Sequence, residues 1–280
     1  MKLSVVALMV FLGQWCCAWQ LAAQEKPSVL SNVPYSAITS LAYLPPDDVV
    51  SYGDDPLQTA SIWRAQGAST SHAKLVVLLH GGCWLNAYDI KHTYALSTAL
   101  AKAGYFVWSL EYRRTGDPGG GWPGTLHDIE AGIKRIGSYT KQSFKLADTV
   151  LMGHSAGGHL ALLSAANMTG LRGVIGLAAI SDIATYSEGS NSCQQAGAQF
   201  MGGRVSEIPE QYALANPALM PVANPTVLLQ GDADSIVPLS QAKALNVTRV
   251  IVKDAGHFDW LHPGTPAFQT LLGQLEHLFK

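Results

Sequence analysis

Residues 149–167 read TVLMGHSAGGHLALLSAAN, and the junction inside that stretch decides the fold. TVLM is a continuous apolar run, as expected of a strand buried on both faces. AGGHLALLSAAN, from residue 156 onward, is rich in Ala and Leu and reads as a helix. Between them lies Gly153-His154-Ser155-Ala156-Gly157, the pattern G-x-S-x-G. A strand that turns straight into a helix around a serine lifts the hydroxyl above the sheet. Glycines on both sides relieve the crowding, and the helix N-terminus favours negative charge developing beside it. The same pentapeptide in a surface turn would carry a plain serine, so the strand before it and the helix after it carry the reading.

The rest of the chain repeats this alternation. Apolar strand-like runs are expected at 57–64, 74–80, 105–110, 173–180, 225–230 and 247–252. Helices are expected at about 90–103, ending at Gly104, and at 123–139 and 266–279. The last of these puts Phe268, Leu271, Leu272, Leu275 and Leu278 on one face. The pattern predicts an α/β fold with a mostly parallel central sheet and helices on both faces. Residues 24–55, with Pro27, Pro34, Pro45 and Pro46, read as an irregular arm over the domain. Residues 182–220 break the alternation; so long a connection in a compact domain is usually a lid or binding insertion.

Composition narrows the function classes. Of 280 residues, 48% are apolar and 14% charged, which excludes a disordered chain. The formal net charge is −2 and no Lys/Arg-rich stretch occurs, so a nucleic-acid partner is excluded. Lys2 and the apolar run at 3–12, followed by small residues, read as a signal peptide over residues 1–23. Cleavage is expected after Ala23 or Ala18, leaving a mature domain over 24–280 that is secreted or periplasmic. A retained anchor or a lipid-modified Cys16 are the competing readings. Only Cys83 and Cys193 would then remain. Two cysteines make no disulfide framework, and free, partly buried thiols are the expectation.

The chemistry-bearing residues cluster at expected strand ends. His80-Gly81-Gly82-Cys83-Trp84 follows the run at 74–80. Acyl transfer creates an oxyanion, and backbone N–H groups must already point at it. Gly82 and Cys83 are the expected donors, with Gly81 as an alternative, together with the N–H of Ala156. The His80 side chain is expected to hold this loop. It has no metal-ligating partners at a recognised spacing, and no H-E-x-x-H occurs. An acid that orients a histidine belongs in a loop after a strand. Asp232 and Asp234 both sit in such a loop, and Asp182 and Asp254 end other strands, so position alone does not choose. A histidine accepts and returns a proton near neutral pH, and His257 follows the last expected strand, with His262 as its rival. The order Ser155, Asp234, His257 is that of Ser, Asp/Glu, His in sheets of this kind.

From about residue 57 to the C-terminus the chain resembles α/β-hydrolases of the esterase/lipase type, related to hormone-sensitive lipase and to kynurenine formamidases. In that group G-x-x-D-x-x-V-P carries the triad acid; Gly231, Asp234, Val237 and Pro238 match it, so the resemblance selects Asp234 over Asp232. G-H-x-F carries the triad base and selects His257 over His262. Glu111-Tyr112-Arg113-Arg114, Trp122-Pro123 and Asp128 also resemble the group. Lipase-like members carry three glycines after the histidine, whereas this chain has HGGCW. H-G-G-x-W resembles kynurenine formamidases.

Other residues carry weaker expectations. Trp84 is a candidate wall of the substrate pocket, with core packing as the alternative. His154 and His159 read as packing or hydrogen-bonding residues, and Arg113 and Arg114 as ion-pair partners rather than ligands of a substrate carboxylate. The resemblance implies a single-domain serine hydrolase with Ser155, Asp234 and His257 as its triad. Its expected reaction is cleavage of carboxylic esters of small or medium size, without cofactor or metal. An arylformamidase or amidase using the same residues is the alternative within enzymes. A non-catalytic binding module is the alternative outside them. The expected partner is a small-molecule ester, with no stable membrane association after signal cleavage.

Overall fold

The structure is a computed structural model in which residues 30–67, 74–139 and 144–280 are described. The expected signal segment, with its cleavage sites at Ala18 and Ala23 and with Cys16, lies outside them. Among the described residues no helix is long and apolar enough to cross a membrane.

The first described segment holds α1 (Tyr35–Thr39) and β1 (Asp48–Ser51). This corrects the expectation of a wholly irregular arm. β1 pairs antiparallel with β2 (Thr59–Trp63) at the sheet edge, where one strand of four residues can form on main-chain bonds with little apolar patterning. β3 (Leu75–Leu79) is followed by a 3-10 turn at Ile90–Thr93 and by α2 (Tyr94–Lys102). Next come β4 (Phe106–Leu110), α3 (Gly124–Tyr139), β5 (Thr149–His154), α4 (Ala156–Ala166) and β6 (Gly173–Leu177). The region expected as an insertion forms α5 (Ile183–Ser187), α6 (Ser192–Met201) and α7 (Pro209–Leu214). β7 (Thr226–Gly231), α8 (Leu239–Lys243), β8 (Thr248–Val252) and α9 (Pro266–Leu278) complete the chain.

The eight strands form one sheet in the order β1-β2-β4-β3-β5-β6-β7-β8. β2 runs antiparallel to both neighbours, and all pairs from β4 to β8 are parallel. The fold is that of the α/β-hydrolases.

The continuous apolar strands resolve into two faces with a period of two residues. Leu75, Val77, Leu79, Trp108 and Leu151 pack with Ile129 of α3 and Leu160 of α4. Val76, Leu78, Val107 and Met152 pack on the opposite face with Leu96 and Leu100 of α2 and Phe268, Leu271 and Leu275 of α9. Because β3 to β8 are parallel, the segments after β3, β5, β7 and β8 leave the sheet at one edge. His80, Ser155, Asp234 and His257 lie on those four segments, and crevices at such an edge are where open α/β sheets bind ligands.

Candidate active site

Ser155 occupies the junction of β5 and α4 with φ 56° and ψ −119°, outside the regions favoured by L-residues. Such a conformation costs about 1–3 kcal/mol and persists only where its surroundings over-determine it. Here the Ser155 N–H donates to the Leu177 carbonyl at 2.9 Å, and the Ser155 carbonyl accepts from His159 at 3.1 Å and Ile180 at 3.4 Å. The flanking glycines are required by close approach. A Cβ at Gly153 would collide with the Gly157 carbonyl, and one at Gly157 with the carbonyls of Leu79 and His80. Ala156 is the first residue of α4, so its N–H has no partner within the helix.

Of the candidate acids, Asp234 is the one whose carboxylate meets His257. Asp234 Oδ2 accepts from His257 Nδ1 at 2.8 Å and from Gln230 Nε2 at 3.0 Å. Its Oδ1 accepts the N–H groups of Ile236 and Val237 at 2.8 and 2.9 Å. The carboxylate is fully buried with all four bonds charge-assisted. Nδ1 of His257 must carry the proton in this arrangement, which leaves Nε2 as an acceptor. Asp232 is exposed and caps the Asp254 N–H at 2.6 Å. Asp182 caps α5 through Thr185, and His262 Nδ1 accepts from Gly264 at 3.0 Å.

The loop after β3 rests against the serine: a Cβ at Gly81 would lie 3.1 Å from the Ser155 Cβ. Two peptide planes there are pinned by their carbonyls. The His80 carbonyl accepts from the Tyr112 hydroxyl at 2.6 Å, and the Gly81 carbonyl accepts from His80 Nδ1 at 2.7 Å. A trans peptide points its N–H opposite to its C=O, so the second bond fixes the direction of the Gly82 N–H. His80 Nε2 meets Glu111 Oε1 at 3.0 Å. Burial works to raise the Glu111 pKa, but His80, Arg114 and the Ile90 N–H outweigh it and bring it to about 2. His80 thus holds the loop, as its position after the strand suggested.

Gly82 to Leu85 form a tight turn closed by the Leu85 N–H on the Gly82 carbonyl at 2.9 Å. Its two central residues are Cys83 at φ 53° and Trp84 at φ 58°. Positive φ at both central positions marks a type I′ turn, where Gly, Asn or Asp is usual. Cys83 and Trp84 are therefore held there by their side chains. Cys83 forms a disulfide with Cys193 of α6, which corrects the expectation of free thiols. Spacing could not reveal this, because the two cysteines are 110 positions apart.

Trp84, the candidate pocket wall, is completely buried, in keeping with the core-packing alternative. It stacks on Phe200 of α6 with ring centroids 5.0 Å apart, and its Nε1 donates to His159 Nδ1 at 3.3 Å. His159 in turn donates from Nε2 to the Ala215 carbonyl at 2.7 Å, and burial pushes its pKa down to about 4. The loop after β3, α4 and the 182–220 segment are thereby joined. That segment also reaches the Asp234 loop, where the Asn191 side chain donates to the Ile236 carbonyl at 3.0 Å. It borders the same sheet edge as Ser155.

Arg113 forms a bidentate pair with Asp128, at 2.8 and 2.6 Å. Arg114 is buried beside Glu111 and holds the Tyr88 carbonyl. Both are framework residues. Tyr112 stacks on His80 and His154 lies beside His257, both within motifs read from the sequence, whereas Gln230 beside Asp234, and Asp259, carry no motif of their own. The Asp259 carboxylate, two residues beyond His257, accepts the N–H groups of Asn32 and Val33, each at 2.7 Å, and clamps the N-terminal segment to the His257 loop. Among the described residues no group of His, Cys, Asp or Glu is arranged to hold a metal ion.

The chain is similar to esterase LipC of Mycobacterium tuberculosis, with 25% identity over 217 residues, or 70% of this chain and 53% of the relative. It is 26% identical over 114 residues to a kynurenine formamidase of Meyerozyma guilliermondii, covering 41% of this chain and 40% of that protein. It therefore spans about half the length of these curated relatives, or less. Among solved structures, esterase B from Lactobacillus rhamnosis superposes with a TM-score of 0.69 at 22% identity, covering 87% of this chain and 89% of that one. A truncated carbohydrate esterase from gut microbiota gives 0.71 at 20% identity, covering 84% and 99%. The family described as BD-FAE matches residues 62–248, and with two-thirds of its length in that match, on an α/β-hydrolase fold, the chain belongs to the BD-FAE family.

Proposed function

We propose that the chain is a serine hydrolase that cleaves carboxylic esters of small or medium size through an acyl-enzyme. The observation that carries this reading is the strained Ser155 elbow, on the same sheet edge as a histidine whose Nδ1 is bound to a buried carboxylate. His257, oriented by Asp234, takes the Ser155 hydroxyl proton at Nε2 as Oγ attacks the ester carbonyl. The N–H groups of Gly82, Cys83 and Ala156 receive the oxyanion. The tetrahedral adduct collapses, and His257 gives its proton to the departing alcohol oxygen. Water, deprotonated by His257, then attacks the acyl-enzyme and releases the acid and Ser155. These steps use side chains and main-chain donors alone. The esterase names of LipC and esterase B support the reading.

A formamide or amide substrate is the second reading, favoured by Trp84 two residues after Gly82 and by the likeness to a kynurenine formamidase. The same residues would serve, with an amine in place of the alcohol. We further assign the mature chain to a secreted or periplasmic location, on the N-terminal segment and on the Cys83–Cys193 disulfide, since disulfides persist in oxidising compartments.

A fluorophosphonate probe tests the reaction class: wild type should be labelled at Ser155 and the Ser155→Ala variant should not. A folded wild-type protein that resists the probe would overturn the hydrolase reading in favour of a binding module. A panel of p-nitrophenyl esters of rising chain length, feruloyl and acetyl-sugar esters, and N-formyl anilides separates ester from amide cleavage. Faster turnover of the anilides than of every ester would decide for the second reading.

A further inference from the structure

His257 has a long way to travel. It follows β8, the edge strand, yet must face a serine that follows β5, with β6 and β7 between them. Asp234, after β7, holds its side chain. Its main chain needs a second support, and the structure contains one in a residue that the reaction itself does not use.

His154 is the last residue of β5, paired with Leu177 of β6 and fully buried. Its Nε2 lies 2.9 Å from the His257 carbonyl oxygen, and the two imidazole rings are 4.6 Å apart. A carbonyl only accepts, so Nε2 carries the proton. Burial first, and the neighbouring His257 second, hold the ring well below the usual histidine range, so it is neutral and Nδ1 is a bare lone pair. Nδ1 is buried without a hydrogen-bond partner, and a Cβ at Gly81 would lie 3.0 Å from it. An apolar ring of this size would fill the space and spare that uncompensated acceptor. What distinguishes histidine here is the Nε2–H, aimed at the base loop.

We propose that His154 is a positioning residue: its Nε2–H holds the His257 main chain and so fixes the base against the serine that follows His154 in sequence. The proposal rests on the serine-hydrolase reading. His154 touches three parts of the site at once, being covalently joined to Ser155, bonded to His257 and packed on Gly81. Its own backbone lies in the middle of the sheet, between β3 and β6, so it gives the far-travelled base loop a rigid anchor.

The test compares two variants of the full-length protein. His154→Phe keeps a planar ring, somewhat larger, and removes the donor; His154→Gln places an amide N–H near the position of Nε2. Steady-state kinetics on p-nitrophenyl butyrate and the rate of fluorophosphonate labelling are measured for each, with folding followed by circular dichroism and urea unfolding. His154→Phe should fold, lose about 10- to 100-fold in kcat and in labelling rate, and keep KM within about threefold. His154→Gln should recover to within about fivefold of wild type. If His154→Phe is folded and keeps more than half of wild-type kcat, the proposal fails. It fails equally if both variants fold and are impaired alike, since the donor is then not what matters. Should His154→Phe not fold, the glutamine variant alone decides, because it must retain activity. A wild-type protein that neither reacts with the probe nor cleaves esters or formanilides would bring down the hydrolase reading and this proposal with it. Normal wild-type labelling with an unaffected His154→Phe brings down this proposal alone.

Discussion

Cys83 in the loop after β3 is bonded to Cys193 on α6, so a candidate oxyanion donor is covalently tied to the segment inserted between β6 and β7. The tie closes a long loop and holds a turn in which Cys83 and Trp84 both have positive φ. Replacing both cysteines by serine should cost about 2–5 kcal/mol in stability, the usual range for a native disulfide. Released from the tie, the turn should relax and turnover should fall by roughly two- to tenfold, well short of the hundredfold or more seen when an oxyanion donor is removed. Urea unfolding and ester kinetics of the double variant measure both. Unchanged stability would show that the bond constrains nothing. Proline at 83 would not remove the N–H cleanly, because its ring requires φ near −65° and this residue stands at 53°.

Asp234 and Asp232 lie two residues apart with opposite surroundings. Asp234→Asn should leave the fold intact and lower kcat by about four orders of magnitude, as amide replacement of a triad acid stabilises the wrong tautomer. Asp232→Asn should change kcat by less than about threefold, since that carboxylate meets only the Asp254 N–H. Parallel kinetics of the two variants check this, and equal losses would separate the Asp234–His257 bond from catalysis.

Acid should unfold the protein early. Burial lowers His92 to about 3 and His159 to about 4, and holds His154 well below its usual range. In the unfolded chain each titrates near 6.5. Below that pH the unfolded chain binds protons that the folded chain refuses, so stability present above about 6.5 is lost as the pH falls. For His92 and His159 the difference near pH 5 approaches two protons, a slope of about 3 kcal/mol per pH unit, and His154 acts in the same direction. Glu111, lowered to about 2, adds a further loss below about 4.5. Urea midpoints measured from pH 8 to 5 should decline steeply below 6.5; a flat profile would contradict three neutral buried imidazoles.

Asp259 is buried and accepts two main-chain N–H groups from the N-terminal segment. Asp259→Asn turns one acceptor into a donor facing an N–H. With each charge-assisted bond worth about 1.5–3 kcal/mol, the variant should lose at least that much stability. Limited proteolysis should open the segment around residues 32–40 ahead of global unfolding. Wild-type protease resistance together with wild-type stability would show that the clamp is dispensable.

Much of this molecule was legible from order along the chain. G-x-S-x-G at 153–157, the glycine loop at 80–84 and the candidate base at 257 each follow an apolar run, and strands buried on both faces announce themselves by being apolar throughout. Parallel connections then bring those ends to one edge, so the fold and the site's location follow from local pattern. β1 was not legible, because an edge strand is held by main-chain bonds that leave little mark on side-chain choice. Nor was the disulfide, or the turn of Trp84 into the core against Phe200, since both depend on where α6 comes to rest. The choice between Asp232 and Asp234 needed a family motif to make from sequence. In the structure Asp234 is the buried carboxylate within reach of His257, and Asp232 is exposed. Asp259 and His154 belong to the same class: their partners are main-chain groups 226 and 103 positions away, and a backbone N–H or carbonyl has no residue identity for a sequence to display. The sequence by itself determined the alternation of strands and helices and which chemistry-bearing residues stand at their junctions. Tertiary structure decided which side chains those junctions lean on, because long-range packing and main-chain hydrogen bonds couple positions that no local pattern connects.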